Sequence, residues 1–299
     1  MEGGNQVVGS AKDRDPKRIL ITGAAGNMGT MLRPMLRRDD RVLRLADIVE
    51  IDPEPGEEFV NVDVMDAEAT AKACQDVQAI VHLGGISLEA PFEDVLSVNV
   101  VGTHNLLRGA VDAGVPRVVL ASSNHAVGFY RRSDVPPGSD GLPDDLLARP
   151  DTFYGWSKAA IESLGGLYHD RFGLDVTVIR IGSCFIEPPD SRALATWLAP
   201  SDAARLLEAC LSHPHEDGFR VIWGVSDNTR RWWSLAGSRA LGYESAEDSE
   251  RFAADRIARY GEPDPREPIH DLVGGATCLA PLGEVPADGP VLSPPLERR

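Results

Sequence analysis

The chain has 299 residues, 42% of them apolar, and a formal net charge of −16. This length and apolar content fit one large packed α/β unit with a modest second lobe. The negative charge repels phosphate backbones and anionic lipid, so nucleic acid and membranes are not expected as partners, although solubility alone also explains such a charge.

The N-terminal segment and the cysteines indicate the cellular compartment of the protein. Residues 1–16 are polar and contain no apolar stretch of the secretory type, so they are predicted to form a flexible tail. The four cysteines are far apart and form no C-x-x-C pair. This pattern indicates neither a disulfide framework nor a zinc cluster, so no metal is expected and a cytoplasmic location fits best.

Short apolar runs alternate with helical stretches along the chain. Strands are predicted at 18–21, 42–46, 59–62, 79–83, 117–121 and 176–181. Helices are predicted between them at 29–38, 91–113 and 152–172. The strand runs are apolar throughout instead of alternating with polar residues, which is typical of a parallel sheet with helices on both faces.

A glycine-rich turn joins the first predicted strand to the first predicted helix. Gly23, Gly26 and Gly29 have the spacing G-x-x-G-x-x-G, with Asn27 and Met28 inside the turn. Glycine permits a tight turn and lets a pyrophosphate approach the helix N-terminus, where N–H groups and the helix dipole favour an anion. A glycine pattern alone is weak evidence, but its place between strand and helix favours a dinucleotide site.

Acidic residues follow the next two strands. Asp47 ends the second strand, 18 positions beyond Gly29, where a carboxylate accepts hydrogen bonds from the adenosine ribose. It would repel a 2′-phosphate, so NAD is favoured over NADP, and the alternative is an ordinary cap or turn residue. Asp63 ends the third strand and is predicted to reach the adenine edge, unless it is only a turn residue. The predicted cofactor-binding set also includes four neighbours of strand ends, Ile48, Val64, Leu83 and Gly84, and three residues further along the chain, Asn99, Tyr154 and Lys158.

These features predict a Rossmann-like doubly wound parallel α/β sheet. Residues 17–185 are predicted to form the NAD-binding domain. Residues 186–299, with a helix at 202–211 and a strand at 219–225, are predicted to form a small C-terminal substrate lobe. The two parts are expected to be intertwined in one compact unit.

A tyrosine and a lysine lie four positions apart at the start of the helix predicted at 152–172. Tyr154 and Lys158 share one helix face, so the ammonium is expected to lie near the phenol and lower its pKa. Such a pair is common by chance on helix surfaces. Ser123, at the end of the fifth strand, is placed to hydrogen-bond a reacting oxygen, because ligands of parallel sheets bind at the carboxyl ends of strands. The glycine turn, the serine and the Tyr–Lys pair occur in the order expected of a redox site.

With these motifs, residues 17–275 resemble the extended short-chain dehydrogenases/reductases. The resemblance implies a catalytic centre of Ser123, Tyr154 and Lys158, bound NAD, and assembly as a homo-oligomer. It also implies that Asn99 holds a water or a backbone kink in the proton path. Asn99 by itself is also explained as a polar residue with a local hydrogen bond inside a helix.

Several segments resemble one group within that family, the bacterial uronate dehydrogenases: 82–87, 121–128, 179–184, 191–197 and 221–224. The resemblance implies oxidation of D-glucuronate or D-galacturonate at C1 to the aldaric acid lactone, with NADH formed. A sugar acid needs hydroxyl partners and one cation. The predicted substrate-binding set consists of Ser87, Ser123, Asn124, His125, Tyr154 and Arg180. Arg180 is assigned to the uronate carboxylate, with structural pairing as the alternative.

Two other functions remain open from the sequence. A sugar-nucleotide epimerase or dehydratase has the same fold, although the short C-terminal lobe leaves little room for a nucleotide diphosphate. A non-catalytic NAD-binding protein has no need for an intact Ser–Tyr–Lys set. The sequence does not rank glucuronate against galacturonate.

Overall fold

The computed structural model describes residues 18–213 and 218–285. Its centre is a seven-stranded sheet in the order β3-β2-β1-β4-β5-β6-β7, with every neighbouring pair parallel. The strands are β1 (Arg18–Thr22), β2 (Val42–Asp47), β3 (Glu57–Asn61), β4 (Ala79–His82), β5 (Arg117–Ser123), β6 (Asp175–Ile181) and β7 (Phe219–Gly224). The predicted Rossmann-like doubly wound fold is confirmed, and the predicted tail at 1–16 lies outside the described residues.

Helices cover both faces of this sheet. The α-helices are α1 (Asn27–Leu36), α2 (Ala67–Ala73), α3 (Phe92–Val95), α4 (Gly102–Asp112), α5 (Phe153–Phe172), α6 (Ala193–Thr196), α7 (Pro200–Ser212), α8 (Ala236–Ala240), α9 (Ala253–Tyr260) and α10 (Pro268–Asp271). In the described parts of the chain, no helix has both the length and the apolar character needed to cross a membrane.

Successive strand residues enter opposite cores, which explains the continuous apolar runs. Leu20 of β1 and Ile80 of β4 pack in one hydrophobic cluster. Their neighbours Ile21 and Val81 pack in the other, on the opposite face of the sheet. All four side chains are buried. The sheet is therefore fixed from both sides, and its carboxyl edge becomes a rigid platform for a site.

One predicted helix needs correction, and two helices were not predicted. The helix predicted at 91–113 is divided into α3, a π-helix at Leu96–Val101, and α4. Helices α2 and α9 were not predicted from the sequence. The proposed domain boundary at residue 185 stays a prediction. Beyond it, β7 joins the central sheet and α7 packs against α1, so the two parts share one core.

Candidate active site

The glycine turn after β1 leaves space where a side chain would collide. Gly23 has a φ of +69°, and a Cβ there would lie 2.6 Å from the Gly84 nitrogen. A Cβ on Gly29 would lie 2.5 Å from the Ala24 carbonyl oxygen. Gly26 precedes α1 without a side-chain cap, and the first turn carries no acidic residue. The first N–H groups of α1 are therefore suited to bind a phosphate.

Asp47 ends β2 beside this turn. Its carboxylate accepts hydrogen bonds from the N–H groups of Ala25 at 2.9 Å and Val49 at 3.0 Å. The carboxylate is thus fixed at the strand end, in the place where a ribose is bound in such sheets. The next side chain, Ile48, is 54% exposed and offers an apolar surface next to it. These residues fit the adenosine half of NAD, and the negative charge of Asp47 disfavours a 2′-phosphate.

The remaining predicted cofactor residues lie at the same edge. Asp63 lies two residues beyond the end of β3, and its carboxylate accepts the Met65 N–H at 2.9 Å, which closes a turn. Val64 lies under α4, because a Cβ on Gly102 would come within 2.6 Å of it. Leu83 lines a small apolar cavity together with Ala121 and Ile181. The individual cofactor contacts stay predictions.

Asn99 lies inside the π-helix and is buried. Its side-chain oxygen accepts the Ile86 N–H at 2.7 Å, and its amide donates to the Ile86 carbonyl at 3.0 Å and the Ser157 hydroxyl at 2.9 Å. One amide therefore joins the loop after β4 to α5. Its implied part in a proton path stays a prediction.

A buried histidine that the sequence analysis did not single out supports the same region. His82 contacts the Thr22 hydroxyl at 2.6 Å and the Thr103 hydroxyl at 3.0 Å. Thr103 donates to the Asn99 carbonyl, and Thr22 accepts the Gly84 N–H. Burial lowers the pKa of His82 to about 3, so the ring is neutral. This network fixes the backbone on both sides of the loop after β4.

The N-terminus of α5 is capped twice. The Thr152 hydroxyl accepts the Gly155 N–H at 2.9 Å. The buried Glu89 carboxylate accepts the Phe153 N–H at 3.2 Å and the Tyr154 N–H at 2.8 Å. A carboxylate at this end of a helix also interacts favourably with the helix dipole. The first turn of the helix that carries the tyrosine and lysine is therefore held rigidly.

The structure brings Tyr154, Ser123 and Lys158 together. Ser123 lies close enough to the Tyr154 phenol to influence its pKa, and the Lys158 ammonium lies 5.6 Å from the centre of the Tyr154 ring. Lys158 donates to the Ala121 carbonyl at 2.8 Å. Burial raises the pKa of Tyr154 to about 12, while the nearby Ser123 hydroxyl opposes that rise and the nearby Asp151 adds to it. Burial thus outweighs the lowering of the Tyr154 pKa that the sequence predicted from Lys158.

Glu162 lies one helical turn beyond Lys158 and was missed by the sequence analysis. Burial lowers the pKa of Lys158 to about 8, and the charge of Glu162 opposes that effect. Glu162 accepts a hydrogen bond from the Ser122 hydroxyl at 2.6 Å and two from Arg180, at 2.9 and 2.8 Å. The buried lysine, glutamate and arginine therefore form one row of alternating charges.

This row argues against the predicted role of Arg180 in substrate binding. Its fork is matched by Glu162, and its other N–H groups donate to the carbonyls of Asp144 at 3.0 Å and Leu146 at 3.1 Å. The Arg180 side chain is only 3% exposed. Its geometry is that of the structural pairing named as the alternative, since Glu162 pairs its charge and four of its five N–H donors are engaged.

Arg192 is a better candidate for the carboxylate. It donates to the Val273 carbonyl at 2.5 Å, and the predicted substrate residue Asn124 donates to the same carbonyl at 2.8 Å. In the described residues, no carboxylate forms an ion pair with its guanidinium, and burial lowers its pKa. Arg192 was not predicted as a substrate residue from the sequence, because an arginine in an irregular segment is usually a surface residue. Its position next to Asn124 and the lack of a carboxylate partner in the described residues distinguish it.

The other predicted substrate residues differ in their surroundings. His125 lies beside Tyr154, with ring centres 5.8 Å apart, and its Nδ1 is 2.7 Å from the Asp151 carboxylate. The Asn124 side-chain oxygen accepts the Ser123 hydroxyl at 3.3 Å. Ser87 is exposed on the loop after β4. Asn124 and His125 are therefore grouped with the catalytic pair, and Ser87 lies at the rim.

The lowered pKa of Lys158 has a measurable effect on stability. Between pH 8 and 10.5 the lysine has lost its proton in the folded protein and keeps it in the unfolded chain, so the free energy of unfolding rises with pH. A Lys158→Met variant lacks this contribution. We expect urea denaturation to show the wild type gaining stability relative to the variant across that range. An equal difference at neutral and alkaline pH would contradict the lowered pKa.

Comparisons with known proteins agree with this geometry. Residues 19–233 match the model of the NAD-dependent epimerase/dehydratase family. The uronate dehydrogenase of Pseudomonas syringae pv. tomato is 39% identical over 270 residues, which cover 89% of this chain and 95% of that protein.

Two solved structures are similar over most of their length. The glucuronic acid dehydrogenase from Chromohalobacter salexigens has a TM-score of 0.83 and 38% identity, over 90% of this chain and 98% of that one. A mutant of the Agrobacterium tumefaciens uronate dehydrogenase, solved in complex with NAD, has a TM-score of 0.82 and 39% identity, over 89% and 98%. This chain belongs to the NAD-dependent epimerase/dehydratase family.

Proposed function

We infer that this chain is an NAD-dependent uronate dehydrogenase that oxidises C1 of D-glucuronate or D-galacturonate to the aldaric acid lactone. The observation that carries this inference is Arg192, a half-buried cation without a carboxylate partner in the described residues, held beside Asn124, the neighbour of Ser123. A sugar with a carboxylate offers such a cation its missing partner. The similar uronate and glucuronic acid dehydrogenases support the same activity.

Ser123 and Tyr154 are placed to act on the proton of the C1 hydroxyl. The hydroxyl of Ser123 lies near the Tyr154 phenol, and both are placed to meet one substrate oxygen. NAD, when bound, supplies a positively charged ring that accepts a hydride. A phenol with a pKa of about 12 stays protonated at neutral pH. Added positive charge near Tyr154 is therefore needed to form the phenolate, which can then take the C1 hydroxyl proton. Lys158 keeps a charge on the same helix face below pH 8.

The carboxylate end of the sugar is held by Arg192. A guanidinium can donate two parallel hydrogen bonds to a carboxylate, which fixes the orientation of the ring as well as its charge. Asn124 shares the Val273 carbonyl with this cation, and His125 lies beside Tyr154, where it is placed to bind a ring hydroxyl. Neutral aldoses would leave the charge of Arg192 without a carboxylate partner, which disfavours their binding.

NADH absorbance tests this function directly. We expect NADH to form with glucuronate and galacturonate, and little with glucose or a UDP-sugar. An epimerase or dehydratase would turn over a UDP-sugar without net NADH, and a non-catalytic protein would bind NAD without turnover. Failure of both uronates to yield NADH would contradict the assignment.

Assembly as a homo-oligomer and a cytoplasmic location remain proposals. Val101 of the π-helix and Leu167 and Phe172 of α5 are 44–52% exposed, which supports an apolar contact between copies of the chain. The cysteine pattern of the sequence supports a reducing compartment. A measured molar mass in solution and cell fractionation test the two proposals.

A further inference from the structure

A buried carboxylate lies behind His125. The Asp151 side chain is 0% exposed, whereas the His125 side chain is 20% exposed, and the His125 Nδ1 lies 2.7 Å from the Asp151 Oδ2. In the described residues His125 Nε2 has no hydrogen-bond partner in the protein. Nδ1 is therefore committed to the buried carboxylate, and Nε2 is left for another partner, in a ring that lies beside the Tyr154 ring.

The surroundings of Asp151 are built around this carboxylate. A Cβ on Gly128 or Gly274 would come within 2.1 or 1.8 Å of its Oδ2, and one on Gly155 within 2.8 Å of its Oδ1. Three glycines from three segments therefore leave the space it occupies. Thr152 donates its hydroxyl to Oδ1 at 3.0 Å, so the carboxylate cannot rotate without losing a partner.

We propose that Asp151 is a positioning residue, which holds His125 with its proton on Nδ1 so that Nε2 accepts a hydrogen bond from a substrate hydroxyl. The proposal rests on the proposed function, because it assumes a sugar beside Tyr154. A carboxylate accepts hydrogen bonds only, and this fixes the proton on the facing nitrogen.

The other polar groups near His125 explain why a hydrogen-bond acceptor is needed there. Arg192 can only donate, and the Asn124 amide is already committed to the Val273 carbonyl. The Ser123 hydroxyl donates its proton to the Asn124 side-chain oxygen at 3.3 Å. A sugar hydroxyl brings its own proton and needs a partner to receive it. The free Nε2 of His125 meets that need without contact between Asp151 and the substrate.

A double-mutant cycle tests the proposal. We compare the wild type, Asp151→Asn, His125→Ala and the double variant with NAD and glucuronate. Asp151→Asn is expected to raise KM for glucuronate about tenfold and to leave KM for NAD unchanged. In the His125→Ala background the same change is expected to have little further effect, because Asp151 acts through His125. An equal cost in both backgrounds would overturn the proposal.

Two further measurements keep the outcome clear. Asp112→Asn removes a carboxylate from an exposed pair with Arg108 and serves as the matched control. Nitrogen NMR of the wild-type histidine rings, at mildly alkaline pH and assigned with His125→Ala, is expected to show the His125 proton on Nδ1. A proton on Nε2 would overturn the proposal even if Asp151→Asn fails to fold. If the wild type forms no NADH from glucuronate, the result would instead contradict the proposed function.

Discussion

Replacement of Tyr154 by phenylalanine is expected to lower kcat for glucuronate oxidation by about 10²- to 10⁴-fold, the usual contribution of a positioned proton-transfer group. The phenol lies near both Ser123 and the charge of Lys158, so the variant lacks the group placed to transfer the C1 hydroxyl proton. The ring and the two caps of α5 remain in the variant. The Kd for NAD, measured by fluorescence or calorimetry, is therefore expected to stay unchanged.

Tyr168→Phe is the matched control for this prediction. Tyr168 lies on the same helix, and its hydroxyl contacts His104, away from the catalytic pair. Its loss is expected to leave kcat close to that of the wild type. A Tyr154→Phe enzyme with full turnover would show that another group removes the C1 proton.

Replacement of Arg192 is expected to change KM for glucuronate, whereas replacement of Arg180 is expected to change the free energy of unfolding. Arg192→Ala removes the cation next to Asn124, so KM for glucuronate is expected to rise by about 10- to 100-fold, in line with about 1.5–3 kcal/mol for a hydrogen bond to a charged group. Arg180→Ala leaves Glu162 buried without its partner. That variant is expected to lose about 3–5 kcal/mol of unfolding free energy, measured by urea denaturation.

The comparison is informative because each variant controls for the other. Both remove a guanidinium from a chain with a net charge of −16, so a general charge effect would change KM equally. An Arg192→Lys variant is expected to recover part of the affinity, since the charge returns without the planar fork. A large rise in KM for glucuronate without a loss of stability in Arg180→Ala would show that Arg180 binds the substrate.

The sequence predicted the features that depend on local spacing. The glycine turn, the strand-end Asp47 and the Tyr154–Lys158 pair each lie within one element or its first turn, and strand and helix periodicity place them at the same edge of the sheet. The π-helix around Asn99 was not predicted, because its residues fit an ordinary helix equally well. Its amide contacts with the loop after β4 decide its shape.

The two arginines show where reasoning from sequence ends. Arg180 stands in an apolar strand and needs a partner, and its partner, Glu162, lies on α5, 18 residues earlier in the chain. Strand periodicity does not reveal which helix residue faces it. Arg192 is distinguished by what is missing around it, and a missing partner is visible only after the neighbouring segments have been placed in space.

The backbone around Val273 has a consequence for engineering substrate preference. The segment is held by main-chain hydrogen bonds, from the Val273 N–H to the Tyr130 carbonyl and from the Gly274 N–H to the Gly128 carbonyl. The carbonyl that Arg192 and Asn124 share is therefore supplied by the main chain, while the Val273 side chain is fully buried. Substitutions at position 273 would act mainly on core packing. Libraries meant to admit neutral sugars should instead begin at Arg192.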